Sequence, residues 1–500
     1  MSVTRRAFLG ATAGSVLGYP LALRAGQAAS RIFSHGVASG DPLATAVVIW
    51  TRVTPPAGAA NARIRVRWQV TTDSERPVVV RAGTATTSAQ RDHTVKVDVE
   101  GLEPGRTYNY RFEALGDASP TGRTRTLALD TSHVRLAVVS CSNYPAGYFN
   151  AYAAIARRED VDVILHLGDY IYEFANGVFG DGTGIGRVHQ PDREATSLDD
   201  YRGRYATYRS DPDLQELHRL YPFIAVWDDH EFASNAWAGG VDGWAARRQA
   251  AMRAYLEWIP VRERGGGDFH LYRSFAFGNL ATLAMLDTRS LRDGQVFATD
   301  MQGLADPRRR LMGARQEQWL SGLLHGSKAA GTTWSLIGQQ VMFSPFTTKG
   351  LPIKNPDAWD GYQAEQARVR DLFAAVGNVA VLTGDMHSSW AFDVPRDPWD
   401  SYNPDSGAGS IAVELIAPAV SSQPYFTGDQ KDTLGPSIVR SLPHLKFLEG
   451  EHRGYLILDV TPTRLEATWF LTPDVGRRSP EASLGATFVV EAGRPRLVAG

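Results

Sequence analysis

Five short apolar runs, each followed by residues that can bind a metal ion, constrain the fold of this 500-residue chain. The runs are rich in Val, Ile and Leu and alternate with helical stretches, which is typical of strands buried on both faces of an α/β sheet. The residues that follow them are Cys141, Asp169, Asp228, Asp229, His230, Gln339, Gln340, Asp385 and His387. Ligands of such sheets bind beyond the carboxyl ends of the strands. The pattern therefore predicts a metal-dependent enzyme.

The N-terminus has the composition of an export signal. Arg5 and Arg6 are adjacent, and the modest apolar stretch after them ends in small residues near Ala28 and Ala29. Paired arginines followed by Phe and Leu resemble the twin-arginine signature, which an export receptor recognises. We therefore predict a twin-arginine (Tat) signal peptide over residues 1–29 and export by the Tat machinery. The mature protein would be periplasmic, cell-wall-associated or secreted.

The overall composition argues against several kinds of partner. A formal net charge of -2 is not that of a nucleic-acid-binding protein or of one that binds anionic membranes. No internal run is long and apolar enough to cross a bilayer, so we expect no transmembrane anchor. Cys141 is the only cysteine, which excludes an intrachain disulfide. A lone cysteine is often a core residue, but its position at a strand end favours a metal ligand.

Two kinds of strand pattern divide the chain. Between residues 31 and 130 apolar and polar residues alternate, as around Ile64, Val66 and Trp68, which indicates half-buried strands. The segment 101–112 resembles the turn and penultimate strand of a fibronectin type III-like sandwich, where a tyrosine often ties the corner to the backbone. We predict an all-β fibronectin III/Ig-like sandwich over 31–130 and an α/β catalytic domain over 134–500.

The ordered series of polar clusters resembles the calcineurin-like metallophosphatase framework, to which purple acid phosphatases are related. In that framework a first ligand strand precedes GDxxY, GNHE, a lone ligand and GHxH. This chain has Cys141 in place of a carboxylate, Asp229 in place of asparagine and Asp385 in place of a histidine. Gln339 or Gln340 replaces the lone histidine. Thiolate, phenolate and imidazole donors suit a transition metal such as iron, whereas carboxylate oxygens suit calcium.

This combination resembles the PhoD-type alkaline phosphatase family, whose members pair ferric iron with calcium. The runs that carry the resemblance are HGVASGDP (35–42), GDYIYE (168–173), SDPDLQ (210–215), WDDHE (227–231), LDTR (286–289) and GQQV (338–341). The resemblance spans essentially the whole chain. It implies an α/β metallophosphatase core of two packed mixed sheets flanked by helices, behind the β-sandwich.

The resemblance also implies the ligands of a two-metal site. The implied Fe3+ ligands are Cys141, Asp169, Tyr172 and His387, and the implied Ca2+ ligands are Asp169, Asp229 and Asp385. Asp228, Asn235 and Gln340 are further candidates for a metal ligand or a supporting contact. Glu231 is expected to support His230.

Four residues are candidates for contact with substrate. His230 directly follows the implied ligand Asp229, so its ring could protonate the leaving group or donate to phosphate. Arg187 and His189, in the glycine-rich loop after Asp169, and Arg289 are candidates for phosphate binding. The loop itself could be an active-site lid or a flexible excursion.

These residues predict an exported, metal-dependent phosphoesterase. Metal-activated water would attack phosphorus in phosphomonoesters, and also in phosphodiesters, at alkaline pH. The nearest alternative is a phospholipase D or another phosphodiester-specific hydrolase, with a phospholipid in place of a small phosphoester as substrate. A non-catalytic surface protein that binds phosphate is a more remote alternative, because each implied metal position holds a competent ligand.

Overall fold

The strands that precede the implied ligands lie in two mixed sheets. The structure, a computed structural model, describes residues 31–240, 243–263, 270–346, 355–424, 426 and 430–500. The predicted signal peptide, residues 1–29, lies outside these ranges. The strands are β1 Val37–Gly40, β2 Ala46–Arg52, β3 Ile64–Thr72, β4 Val79–Thr87, β5 Thr94–Glu100, β6 Thr107–Ala114, β7 Asp117–Ala118, β8 Gly122–Arg125, β9 Val134–Val139, β10 Val163–His166, β11 Pro222–Ala225, β12 Arg273–Phe277, β13 Ala281–Met285, β14 Trp334–Gln339, β15 Val379–Thr383, β16 Ser389–Pro395, β17 Ser410–Ile416, β18 Leu445–Glu449, β19 Arg453–Val460, β20 Arg464–Thr472, β21 Ser483–Glu491 and β22 Arg494–Ala499.

Helices connect and cover these strands. They are α1 Asn150–Ala156, α2 Leu198–Tyr208, α3 Pro212–Leu220, α4 Trp244–Trp258, α5 Met301–Ala305, α6 Ala314–Ala329, α7 Gln363–Val376 and α8 Gln430–Ser441. Ser197 begins α2 with a capping box, in which Asp200 N–H donates to the serine side chain. Within the described ranges, no helix combines the length and hydropathy that a transmembrane span requires.

Within each sheet, parallel pairing brings together the carboxyl ends of the strands that precede the implied ligands. A ten-stranded sheet has the order β22-β21-β20-β19-β9-β10-β11-β1-β2-β5, and a seven-stranded sheet has the order β12-β13-β14-β15-β17-β16-β18. In the first sheet β9, β10 and β11 are parallel neighbours. In the second sheet β13, β14, β15 and β17 are parallel neighbours. The strands before Cys141, Asp169 and Asp228 therefore end at one edge.

The two sheets pack against each other. Leu136 and Leu165 of the first sheet and Leu336 and Leu382 of the second belong to one buried apolar cluster. The indole of Trp469, on β20, donates to the carbonyl of Ile416, on β17, at 2.9 Å. A second apolar cluster joins the seven-stranded sheet to α6 and α7. Burial of this apolar surface is the main force that holds the sheets together.

The N-terminal region is rich in β structure, as predicted, but shares one of its sheets with the α/β region. Strands β3, β4, β6, β7 and β8 form a separate five-stranded sheet, whereas β1, β2 and β5 extend the ten-stranded sheet. Strand β1 pairs in parallel with β11, which satisfies backbone groups that an edge strand would leave unpaired. The predicted tyrosine tie is present, because the N–H of Glu103 donates to the Tyr108 hydroxyl at 2.9 Å. The likeness to fibronectin III remains a prediction.

Candidate metal centre

The implied ligands converge where the two sheets meet, and two glycines permit the close approach. A Cβ on Gly384 would lie 3.0 Å from the Cβ of Ser140, so glycine lets the turn before Asp385 rest on the turn before Cys141. Gly168 has φ +107°, and a Cβ there would lie 2.4 Å from the Cβ of Asp228. Glycine is therefore required at 168, and at 384 a larger residue would have to push Ser140 aside by a few tenths of an ångström.

Four of the implied ligands adopt a left-handed backbone conformation. The φ angle is +59° at Cys141, +54° at Asp169, +61° at Asp385 and +52° at His387. This conformation costs a non-glycine residue about 1–2 kcal/mol, and such strain concentrates at functional sites. Hydrogen bonds hold the turns in place, since Cys141 N–H donates to the Gly168 carbonyl at 3.2 Å.

One side of the site contains a thiol, a phenol, an imidazole and a carboxylate. Donor atoms of Cys141, Asp169 and His387 lie within 4.8 Å of one another. The hydroxyl of Tyr172 donates to Asp169 Oδ2 at 3.0 Å and lies 3.1 Å from His387 Nε2. His387 Nδ1 is hydrogen-bonded to the Gln423 carbonyl at 2.9 Å, which directs Nε2 toward the other donors. We call these four residues the cysteine cluster.

On the other side of the site the candidate donors are carboxylates. Oxygen atoms of Asp228, Asp229 and Asp385 lie within 4.8 Å of one another, and we call these residues the carboxylate triad. A third group of donors, from Asp169, Asp229 and His230, meets the same distance and links the two sides. Asp169 therefore lies near donors of both sides, because Asp229 is a member of the carboxylate triad, and a carboxylate in such a position can contact two ions.

Burial favours the protonated forms of these acids. Burial, with Asp169 beside the thiol, raises the pKa of Cys141 well above its ordinary value. Burial, again with Asp169, raises the pKa of Tyr172. Burial and the neighbouring Asp228 raise the pKa of Asp385 to about 8. A bound cation would offset this cost and favour the thiolate, phenolate and carboxylate forms.

Two buried oxygen atoms also suit a cation. Asp169 Oδ1 and Asp228 Oδ2 are buried and have no hydrogen-bond partner among the described residues. Leaving a buried acceptor unpaired costs about 1–3 kcal/mol, so a ligand that contacts both oxygens would be stabilising. The residues present therefore fit a metal site, with nitrogen and sulfur donors on one side and oxygen donors on the other.

His230 lies between the two sides and is held by Glu173. Its Nδ1 is 2.8 Å from Glu173 Oε2, and its ring stacks on Tyr172 with 4.2 Å between centroids. Burial lowers the pKa of His230, but Asp229, Glu173 and Asp169 together raise it well above its ordinary value. The protonated imidazolium is therefore favoured. The expectation that Glu231 supports His230 is wrong.

Glu231 instead supports the turn that carries Asp169. Its carboxylate accepts the backbone N–H groups of Asp169 at 3.0 Å, Tyr170 at 2.5 Å and Asp228 at 2.6 Å. Residues 229–231 form a single 3-10 turn, so adjacent side chains leave it in different directions. Glu231 thus ties the ends of β10 and β11 together.

Arg187 and His189 have structural contacts that leave little capacity for phosphate. Arg187 is buried, donates to Asp211 Oδ2 at 2.6 Å and lies over the Tyr144 ring at 3.8 Å. His189 uses both ring nitrogens, with the Phe174 carbonyl at 2.6 Å and the Tyr208 hydroxyl at 2.9 Å. Both residues anchor the glycine-rich loop, and these contacts do not support phosphate binding, although Arg187 Nη2 has no hydrogen-bond partner among the described residues. Phosphate binding by Arg187 and His189 stays a prediction.

Gln340, at the end of β14, and Asn235, after β11, supply supporting contacts. Gln340 Oε1 accepts from the backbone N–H of Thr288 at 2.9 Å, and its Nε2 donates to the Leu286 carbonyl at 2.9 Å. Gln340 therefore fixes the turn that presents Arg289, and direct metal binding by its amide is not supported. Asn235 holds the carboxylate triad through its backbone N–H, which donates to Asp229 Oδ2 at 2.6 Å. Ligation by its side chain stays a prediction.

Arg289 lies among the carboxylates, and three further residues were missed by the sequence reasoning. Arg289 Nη2 is 3.0 Å from Asp385 Oδ1, and its Nη1 is 2.5 Å from Asp357 Oδ2. Ser422 donates to the Tyr172 hydroxyl at 2.7 Å. Glu173 ends the GDYIYE run, so a signal for it was available, whereas Asp357 and Ser422 belong to no motif.

The chain is similar to known phosphatases over almost its full length. The family model of the PhoD-like phosphatase matches residues 136–469, and that of the PhoD-like phosphatase N-terminal domain matches residues 20–128. Alkaline phosphatase D of Bacillus subtilis (strain 168) is 36% identical over an alignment of 483 residues, which covers 92% of this chain and 81% of that protein. A solved structure described as the structure of PhoD superposes with a TM-score of 0.84 at 34% identity. The superposition covers 95% of this chain and 94% of that chain. The chain therefore belongs to the PhoD-like phosphatase family and is a hydrolase that acts on phosphoric esters.

Proposed function

We propose that the protein is a Tat-exported, two-metal phosphoesterase that hydrolyses phosphomonoesters, and also phosphodiesters, at alkaline pH. The observation that carries this proposal is the overlap of three donor groups, in which Asp169 joins the first to the second and Asp229 joins the second to the third. Such a chain of donors can hold two cations close enough to contact one phosphate. The proposed division assigns residues 31–130 to a β domain and 134–500 to the catalytic domain.

The donor types suggest a different ion on each side. The cysteine cluster offers thiolate, phenolate and imidazole, which suit iron, and we propose Fe3+ there. The carboxylate triad, with Asp169, offers hard oxygen donors, which suit Ca2+. When bound, the two cations would supply Lewis acidity and neutralise charge on the phosphate.

The chain's own residues would orient the substrate and handle the leaving group. Glu173 fixes His230 through Nδ1, which leaves Nε2 as the nitrogen free to face substrate. We propose that His230 donates a proton to the departing alkoxide oxygen as the P–O bond breaks. Phe179 lies against His230, with ring centroids 5.9 Å apart, and would help to exclude water from the proton donor.

Hydrolysis of p-nitrophenyl phosphate and of its bis-ester, before and after calcium chelation, tests this proposal. We expect monoester cleavage at alkaline pH that falls on chelation and returns with added Ca2+. Elemental analysis of the purified protein should find iron and calcium together. Activity that survives complete removal of both metals would contradict the two-metal proposal, and turnover of neither ester by metal-loaded protein would favour the phosphate-binding alternative.

An apolar wall beside His230 supports a role in diester hydrolysis. Phe174 lies 5.4 Å from the His230 ring, and Val178 on the same loop is 65% exposed. These side chains could contact a second ester substituent, as in the phospholipase D alternative. Trp359 does not contribute, because it is buried and donates to Gln339 Oε1 at 3.1 Å. Cleavage of the bis-ester alone would favour the diester-specific alternative.

The export proposal rests on the sequence of residues 1–29. Fractionation of cells that produce the full chain, compared with a variant in which Arg5 and Arg6 are both lysine, tests it. We expect the wild type outside the cytoplasm and the variant retained within it. Equal export of both proteins would contradict recognition by the Tat machinery.

A further inference from the structure

A guanidinium lies inside the carboxylate triad. Arg289 is fully buried, and its nitrogens contact the triad and Asp357. Two of these contacts are short: Nε donates to Asp228 Oδ1, and Nη1 donates to Asp357 Oδ2. Nη2 makes the two longer contacts, 3.0 Å to Asp385 Oδ1 and 3.3 Å to Asp229 Oδ1.

These contacts divide the guanidinium into an anchored part and a part that can be displaced. Asp357 also accepts from Arg292 Nη2 at 2.6 Å and from Gln295 Nε2 at 2.6 Å, so it is a fixed anchor for Arg289 Nη1. Asp229 and Asp385, by contrast, are held to Arg289 only through Nη2. Calcium requires carboxylate oxygens at about 2.3–2.6 Å, so a cation bound to this pair would compete with Nη2 for the same oxygens.

We propose that Arg289 is a built-in competitor for the second cation. In the cation-free enzyme Nη2 holds Asp229 and Asp385 together and compensates their charge. When the cation binds, Nη2 gives up both carboxylates, while Nε and Nη1 stay on Asp228 and Asp357. This inference rests on the proposed function, because it takes the carboxylate triad to be a divalent-cation site.

Calcium binding to Arg289→Gln tests the competition. A unit charge about 4 Å from a monovalent ion, at the effective dielectric of buried sites, changes its binding constant by about three orders of magnitude, and the effect on a divalent ion is about twice as large on the logarithmic scale. The carboxylates would be less ordered in the variant, which would offset part of this gain. We therefore expect the Kd for Ca2+ alone to fall at least about tenfold. Titration calorimetry on iron-loaded protein measures this Kd. Arg292→Gln is the matched control, because it removes the same charge from Asp357 without touching the triad, and its Kd should change much less.

Arg289 is buried, so a milder variant and a wild-type measurement keep the test decisive. Arg289→Lys keeps the charge but cannot contact four carboxylates at once, and we expect it to bind Ca2+ more tightly than wild type, though by less than the glutamine variant. A crystal structure of the wild type with Ca2+ should have Nη2 beyond hydrogen-bonding distance of Asp229 and Asp385, with Nε still on Asp228.

Two results would overturn the inference while leaving the two-metal proposal intact. One is weaker or unchanged Ca2+ affinity in the folded Arg289 variants, which would make Arg289 a scaffold for the triad. The other is a Ca2+-loaded wild type in which Nη2 keeps both carboxylates. Failure of the wild type to bind Ca2+ at all would instead refute the proposed calcium site, and the competition with it.

Discussion

Glu173→Gln should impair turnover while leaving both metals bound. Glu173 is 1% exposed, and its Oε2 lies 2.8 Å from Nδ1 of a His230 side chain that is 12% exposed. A hydrogen bond to a charged group contributes about 1.5–3 kcal/mol, and each 1.36 kcal/mol of lost transition-state stabilisation lowers the rate tenfold. We therefore expect kcat to fall roughly ten- to hundredfold. Glu173 belongs to none of the three donor groups, so metal content should not change.

The assay should compare two leaving groups. p-Nitrophenolate departs readily without a proton, whereas the alkoxide of an alkyl phosphate needs one, so loss of the general acid should slow the alkyl ester more. The glutamate charge also raises the pKa of His230, so its removal should move the alkaline limb of the kcat profile to lower pH. The limb moves in this direction because an imidazolium that is less stabilised loses its proton at lower pH.

Glu257→Gln is the matched control for this variant. Glu257 is equally buried but pairs with Arg202 and Arg253, which contact none of the implied ligands. The Glu257→Gln variant should be less stable than wild type, but any change in its kcat should be the same for both leaving groups. Equal kcat for Glu173→Gln and wild type on the alkyl ester would refute the role of Glu173 in orienting His230. Loss of metal from Glu173→Gln would instead make His230 a ligand.

Three further predictions address the metals, the substrate and the fold. Cys141→Ala should lose iron by elemental analysis while Ser140→Ala, the adjacent control, retains it; an iron-replete and active Cys141→Ala would remove the thiol from the ligand set. Phe174→Ala should lower kcat/KM for the bis-ester several-fold more than for the monoester, and an equal change in both would exclude contact between Phe174 and a second ester substituent. Burial lowers the pKa of His166 to about 3, below the ordinary 6.5. The neutral His166 therefore makes its whole contribution to the free energy of unfolding above pH 6.5. That contribution falls by about 1.4 kcal/mol per pH unit toward pH 3, because the histidine binds a proton in the unfolded chain before it does so in the folded chain. His166→Gln should remove this slope in urea unfolding at pH 6.5 and 5, and an unchanged slope would contradict the assignment.

The sequence identified the strand ends well because their chemistry is local. A run of Val, Ile and Leu followed by a polar cluster predicts both a buried strand and the point at which it ends. Cys141, Asp169, Asp229 and Asp385 were placed at such points, and the structure brings them together. That they bind iron and calcium stays a prediction. Parallel neighbours share one edge, so the convergence within each sheet needed no knowledge of the loops, whereas the packing of the two sheets brings Asp385 to the other three residues.

The supporting contacts could not be read in the same way. Adjacency in sequence suggested that Glu231 supports His230, but the 3-10 turn directs Glu231 to backbone amides and leaves that role to Glu173. An amide at a strand end can bind a metal or anchor a turn, and only its contacts assign Gln340 to the second role. Asp357 reaches Arg289 from a loop without periodicity, so no pattern indicated it.

Neither sheet alone contains a complete site, and this links metal binding to folding. The ten-stranded sheet supplies Cys141, Asp169 and Asp229, and the seven-stranded sheet supplies Asp385 and His387. An ion bound across this junction would favour the folded chain, because the unfolded chain cannot present the same donors. That stabilisation would offset the left-handed backbone at four of these residues and the burial of acids that repel one another. A route that exports folded proteins is compatible with such a site, since the metals could be bound before the chain leaves the cytoplasm.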